Sequence, residues 1–290
     1  MKLTDLWKDN NFVINESTVE QFNKWFEKDV KNTRYSTDEK ILEEYVSKYI
    51  HENSSFEDIY TVVTLINSFY STRMGADDCF ALSKILHENH AKIWEAINQT
   101  QQTQQNIKLV QGIIKQQKNT KQEEYTKQDE ETKRVAFSFT TKYFSILSRF
   151  LTGKDVYPIF DSVVANVLDY YRYNLDNGNK KHSVSRCNST NKKDYAEYVE
   201  IINELKPTPC TYKHLDNYLW KMGSLVSDEI RKRLPKKQKK KTTKATQDQT
   251  EAKQNQTAPN EPSWFVLEKY NISLDGLMQE IIDDKGGFNV

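Results

Sequence analysis

The chain has 290 residues and a formal net charge of +1, and 37% of its residues are hydrophobic. A balance this close to neutral leaves no whole-molecule field to recruit nucleic acid, and the length suggests one or two domains. The apolar share is below that of ordinary globular chains; tracts rich in Gln, Asn and Lys account for the difference, while 16 Tyr and 13 Phe supply a packed core elsewhere.

Taken in chain order, residues 1–53 read as helical. Phe22, Trp25 and Phe26, then Ile41, Leu42, Tyr45, Val46, Tyr49 and Ile50, recur at three- and four-residue intervals. A second helical block opens at NSSFEDIY, where Ser54 or Ser55 suits an N-cap and Glu57 and Asp58 suit the first turn. The Gln/Lys-rich stretch at about 98–134 carries a short apolar insert, Ile107 to Ile114, and is expected as an exposed helix or partly ordered excursion.

Dense apolar helix returns over 135–173, and NLDNGNKKHSVSRCNSTNKKD then reads as loop. Helix resumes through YAEYVEIINELK, breaks at Pro207 and Pro209, and resumes at TYKHLDNYLWKMG. Residues 235–262 read as a basic low-complexity linker, and 263–290 as a short helical segment. Almost nothing alternates with a strand period, so the expected fold class is all-α.

Cys79, Cys187 and Cys210 are odd in number and irregularly spaced, which argues against a disulfide framework and for a reducing compartment. The start MKLTDLWKDNNF lacks an apolar signal core, and no apolar run approaches a membrane span. A soluble cytoplasmic protein is expected.

Two polar residues interrupt the most apolar segments. Lys142 lies among Phe137, Phe139, Tyr143, Phe144, Ile146 and Leu147. Its plain reading is a helix lysine that snorkels its head to solvent; its functional reading is a desolvated amine whose neutral form is a nucleophile able to form a Schiff base. Asp161 follows YPIF and opens the apolar helix SVVANVLDYY. It reads as an N-cap, a role compatible with a carboxylate that supports a developing cation.

A lysine on a helix, an apolar run with a proline, and an aspartate opening the next helix resemble the catalytic core of the helix-hairpin-helix DNA glycosylases. The 8-oxoguanine glycosylase branch, in a bacterial subgroup, is the most similar. In that family the two residues lie just under twenty positions apart, as Lys142 and Asp161 do. LINSFYSTRMGAD is similar to the family helix whose polar end fills the gap left by an extruded base, and HLDNYLWKMG to its closing helix, with Trp220 and Gly223 in matching positions. The resemblance covers roughly residues 56–234, with the blocks in the family's order. It implies a two-lobed helical domain at 54–234, preceded by the N-terminal segment.

Two features depart from the family. Its hairpin normally carries glycines whose backbone N–H groups grip a phosphate, whereas this chain reads VAFSFTTKY. Either the Ser138, Thr140 and Thr141 hydroxyls replace part of that grip, or DNA binding is weakened. No cysteine follows Cys210, so an iron–sulfur cluster is absent, and His182, Cys187 and Cys210 lack zinc spacing. No metal or organic cofactor is expected.

The remaining candidates are implied by the same resemblance. Tyr70, Ser71 and Arg73 either end a helix before the Gly75 turn or form a wedge in the vacated stack. Ile146 lies one turn from Lys142 and is expected in the base pocket. Trp220 is expected either in the core or stacked on the extruded base. The basic run near 231–244 reads as a solvated linker able to add phosphate affinity.

The implied function is that of a monomeric, nucleoid-associated DNA glycosylase with AP-lyase activity. Its partner is duplex DNA with an extruded base, a modified purine, and Lys142 is the nucleophile. The alternative is a non-catalytic DNA-binding or interaction module on the same scaffold.

Overall fold

The computed structural model describes residues 14–70, 74–99, 103–119, 129–161, 163–165, 167–168 and 195–233. Every regular element among them is a helix, so the fold is all-α. In chain order these are α1 (Glu16–Val30), α2 (Arg34–Tyr49), α3 (Phe56–Phe69), α4 (Ala76–Glu88) and α5 (His90–Asn98). They are followed by α6 (Gln104–Asn119), α7 (Asp129–Thr152), α8 (Tyr195–Leu205) and α9 (Tyr212–Arg233). None of the described helices is long and apolar enough to cross a membrane. The expectations for the 174–194 loop, for His182 and Cys187, for the 235–262 linker and for the 263–290 segment lie outside the described residues.

Helix ends follow local chemistry. Asn15 accepts from the Thr18 amide at 2.9 Å to start α1. Ser55 and Asp58 form a reciprocal capping box at α3, which selects Ser55 over Ser54 as the cap. At the end of α3, the Asn67 side-chain amide bonds both the carbonyl and the N–H of Met74, each at 3.0 Å, and so ties α3 to the start of α4. Helix α7 stops at Gly153, whose φ of 67° suits a residue without a Cβ and whose N–H donates to the Arg149 carbonyl at 3.0 Å.

The N-terminal helices are part of the same core as the rest. Val19, Phe22, Leu42 and Val46 belong to one buried cluster with Ile59, Phe144 and Met222, so no seam appears at residue 53. The Phe22 ring meets Tyr218 of α9 edge-on at 5.4 Å, and the Asn23 amide donates to the His214 carbonyl at 2.9 Å.

The Gln/Lys-rich stretch is helical in its middle, as expected, but one face of that helix is buried. Its middle is the regular helix α6, and Ile107, Val110, Ile113 and Ile114 are all buried. Those four positions lie on one face at helical spacing, so a few apolar residues in a polar tract suffice to dock it.

Helix α9 comes very close to the helical turns that follow Asp161. A Cβ on Gly223 would lie 2.6 Å from Val163 Cγ1, 2.8 Å from Val167 Cγ2 and 3.0 Å from the Val163 carbonyl oxygen. Side chains yield readily, but a backbone carbonyl yields only if the helix moves. Gly223→Ala is therefore expected to destabilise the protein by about 1–3 kcal/mol through overpacking, despite alanine's better helix propensity. Urea denaturation checks this, and a variant as stable as the parent would show that the two helices can part without cost.

Candidate active site

The approach to Asp161 is a non-helical segment held by four buried hydrogen bonds. The Tyr157 hydroxyl donates to the Ala96 carbonyl at 3.0 Å. The Pro158 carbonyl accepts from Tyr195 at 3.0 Å, and the Ile159 carbonyl from Tyr198 at 2.6 Å. The Phe160 N–H donates to Thr141 Oγ1 at 3.0 Å. A buried segment outside a helix must find partners for its backbone groups, and two tyrosines of α8 and one threonine of α7 provide them. Thr141 is the neighbour of Lys142, so this last bond joins the two halves of the site directly.

Asp161 then does two things at once. Its Oδ1 accepts from the Val163 N–H at 2.8 Å, and its carbonyl accepts from Ala165 at 2.8 Å, which makes it the cap of the helical turns that follow. Its Oδ2 is left facing the Lys142 amine at 3.4 Å. The Lys142 side chain is 10% exposed and that of Asp161 20%, so both groups are largely buried yet keep some contact with water. Asp161 is thus the N-cap of its plain reading, with one oxygen left to face Lys142, and Lys142 is an ion-paired, buried lysine rather than a snorkelling one.

The other expected residues divide. Tyr70 caps α3, and burial pushes its hydroxyl up to about 12. Ser71 and Arg73 lie outside the described residues. Thr140 and Thr141 are wholly buried, and Thr141 is committed to the Phe160 amide and to the Ser138 carbonyl at 3.0 Å. Neither hydroxyl reaches the surface as a phosphate grip requires, which leaves Ser138 of the three. Between residues 129 and 142 no hairpin turn precedes the lysine, because α7 runs unbroken from Asp129 to Thr152. Ile146 is wholly buried in the core. Trp220 is 46% exposed, so its core reading fails and its ring remains free to stack.

Residues that the sequence reading passed over complete the crevice. Asp216 lies on α9 one turn before Trp220. Burial raises its carboxyl to about 6; Asp161 and Asp155 also raise it, while Lys213 and Lys142 act the other way. Arg149 Nη1 meets Glu39 Oε1 at 3.3 Å, and Lys213 Nζ meets the same oxygen at 3.8 Å and the Tyr35 hydroxyl at 2.7 Å. The Lys213 N–H donates to Asp155 Oδ2. A carboxylate among Leu215, Tyr218 and Leu219 is the same anomaly that singled out Lys142, and it could have found Asp216 from sequence alone.

Asp216 yields a pH prediction with a definite sign. Its folded pKa lies above the ordinary aspartate value of 3.8, so between about pH 4 and pH 6 the native state holds a proton that the unfolded chain has released. The carboxyl's contribution to stability is full below about pH 4 and lost as pH rises through about 6. Asp216→Asn removes that dependence. Relative to the parent, the variant should gain on the order of 1–3 kcal/mol between pH 4 and pH 8. Denaturation curves at the two pH values check this, and parallel curves would contradict a buried carboxyl.

Comparison with known proteins adds a partial match. Residues 15–150 match the family model HI_0787_N, described as an N-terminal domain. That segment includes Lys142 and Arg149 and stops before Asp161. No curated protein and no solved structure matches. Among the described residues, no group of three or more His, Cys, Asp or Glu side chains could hold a metal ion.

Proposed function

We propose that the protein is a DNA glycosylase with AP-lyase activity that removes a modified purine from duplex DNA through Lys142. The observation that carries this reading is the Lys142–Asp161 pair, an amine 3.4 Å from a carboxylate whose other oxygen is fixed by a helix start. In this reading the neutral amine attacks the sugar C1′ as the glycosidic bond breaks. The base leaves with the bonding pair and takes up a proton. The amine loses its proton, and sugar-ring opening gives a Schiff base from which the strand breaks by β-elimination. Asp161 Oδ2 supports the positive charge that develops at the sugar, and the crevice holds the sugar against the amine. Trp220, exposed one turn from Asp216, offers a face for the extruded base.

Borohydride trapping of the full chain on duplexes with different modified bases, and on an abasic duplex, tests the reading. A covalent adduct with any of them supports it. Binding to all of them without an adduct favours the second reading, a DNA-binding module without chemistry. That reading draws on two observations, the absence of a hairpin turn in α7 and the burial of Thr140 and Thr141.

A further inference from the structure

Arg149 has a free edge. Its Nη1 is taken by Glu39 at 3.3 Å, but Nε and Nη2 are buried with no hydrogen-bond partner. Those two N–H groups form the side-on fork of the guanidinium, the edge that matches a pair of acceptors bidentately. An unmade bond at a buried charged donor is costly, and this one has two. The Tyr70 hydroxyl and Asp155 Oδ1 are likewise buried and unpaired beside it. The side chain as a whole is 14% exposed, through atoms other than these two nitrogens.

Position along α7 connects this edge to the proposed chemistry. Arg149 follows Lys142 by seven residues, two turns on the same face and about 10 Å along the axis. A purine nucleotide bridges such a separation with its sugar carbon at one end and its keto edge at the other. Charge decides between candidate acceptors. The Glu39 and Asp155 carboxylates already face Arg149, so a further anion such as phosphate would meet repulsion there, whereas a neutral base edge would not.

We propose that Arg149 is the specificity-determining residue of this cleft, its Nε/Nη2 fork donating to the O6 and N7 acceptors of an extruded 6-oxopurine. The inference rests on the glycosylase reading and narrows it. The base must keep an unprotonated N7, as guanine, hypoxanthine and xanthine do; 8-oxoguanine carries a hydrogen there, and adenine presents an amino group at position 6. The 6-oxopurines with that edge, guanine, hypoxanthine and xanthine, are then the fitting bases. Arginine on the O6/N7 pair is a recurrent way of reading guanine in DNA.

Binding of free nucleosides to the full chain, measured by calorimetry or thermal shift, tests this without catalysis. 2′-Deoxyinosine and 2′-deoxyguanosine should bind at least tenfold more tightly than 7-deaza-2′-deoxyguanosine, 2′-deoxyadenosine or 8-oxo-2′-deoxyguanosine. Arg149→Lys should level these differences; should that variant not fold, the ranking on the wild type decides alone. Equal binding of all five, no binding of any, or displacement of deoxyinosine by millimolar inorganic phosphate would overturn the proposal. Trapping of the wild type on an abasic duplex, which offers no base, reads Lys142 separately. Adducts without nucleoside discrimination remove the role of Arg149 and leave the glycosylase reading. Discrimination without adducts does the reverse.

Discussion

Lys142→Gln is expected to abolish covalent trapping on every duplex while the protein stays folded. The Schiff base needs the ε-nitrogen as a free amine, and an amide nitrogen is not a nucleophile, so the loss should be complete rather than graded. The fold should tolerate the change because glutamine keeps a long stem and an N–H donor for Asp161 Oδ2, now 3.4 Å from the amine. Removing one partner of a buried pair costs most when the other charge is left bare, and here the amide still meets it while the carboxylate keeps its bond to Val163. DNA affinity should persist, since phosphate contacts come from other residues. Trapping gels and a binding isotherm on the same duplex separate the two outcomes. An adduct that survives the substitution would move the nucleophile elsewhere.

Asp161→Asn should retain the fold and lose rate. Asparagine caps about as well as aspartate, and its side-chain oxygen can still accept from the Val163 N–H, a bond of 2.8 Å in the parent. What disappears is the negative charge facing Lys142 and the sugar. Single-turnover base release should fall by about 10²–10³, the scale of a lost transition-state electrostatic contact. The Lys142 amine also loses its counter-charge in a crevice where only 10% of its side chain is exposed, so some stability should go with it. Rates unchanged within a few-fold would reduce Asp161 to a structural cap.

The core of the candidate site was legible because its two members break a local pattern. A lysine among phenylalanines and an aspartate at the head of an apolar run are visible without any fold, and the N-cap role of Asp161 follows from helix chemistry. The hydroxyl-rich stretch before Lys142 misled for a related reason. Ser138, Thr140 and Thr141 look like donors for a ligand, and sequence does not say which face of α7 they occupy. In the fold Thr141 turns inward to meet a backbone amide nineteen positions away. Arg149 was equally opaque: its partner Glu39 is 110 residues distant, and Lys213 lies 178 residues from Tyr35.

What the sequence determined by itself is therefore local. Helical periodicity, the capping box at Ser55 and the all-α class depend on neighbours within a turn or two, where spacing dictates which side chains meet, whereas the stop of α7 at Thr152 interrupts the helix expected over 135–173. The docking of α6 was decided by tertiary structure, since four apolar residues on a polar helix mean little until a surface exists to cover them. So was the polar crevice. Tyr35 and Glu39 from α2, Tyr70 after α3, Arg149 from α7, and Lys213 and Asp216 from α9 share one low-dielectric space only because the helices converge there. Each charge is ordinary on its own helix. Burial among the others raises the Asp216 carboxyl and leaves the edge of Arg149 unpaired, and neither effect has a local sequence signature because both arise from the removal of water by distant parts of the chain.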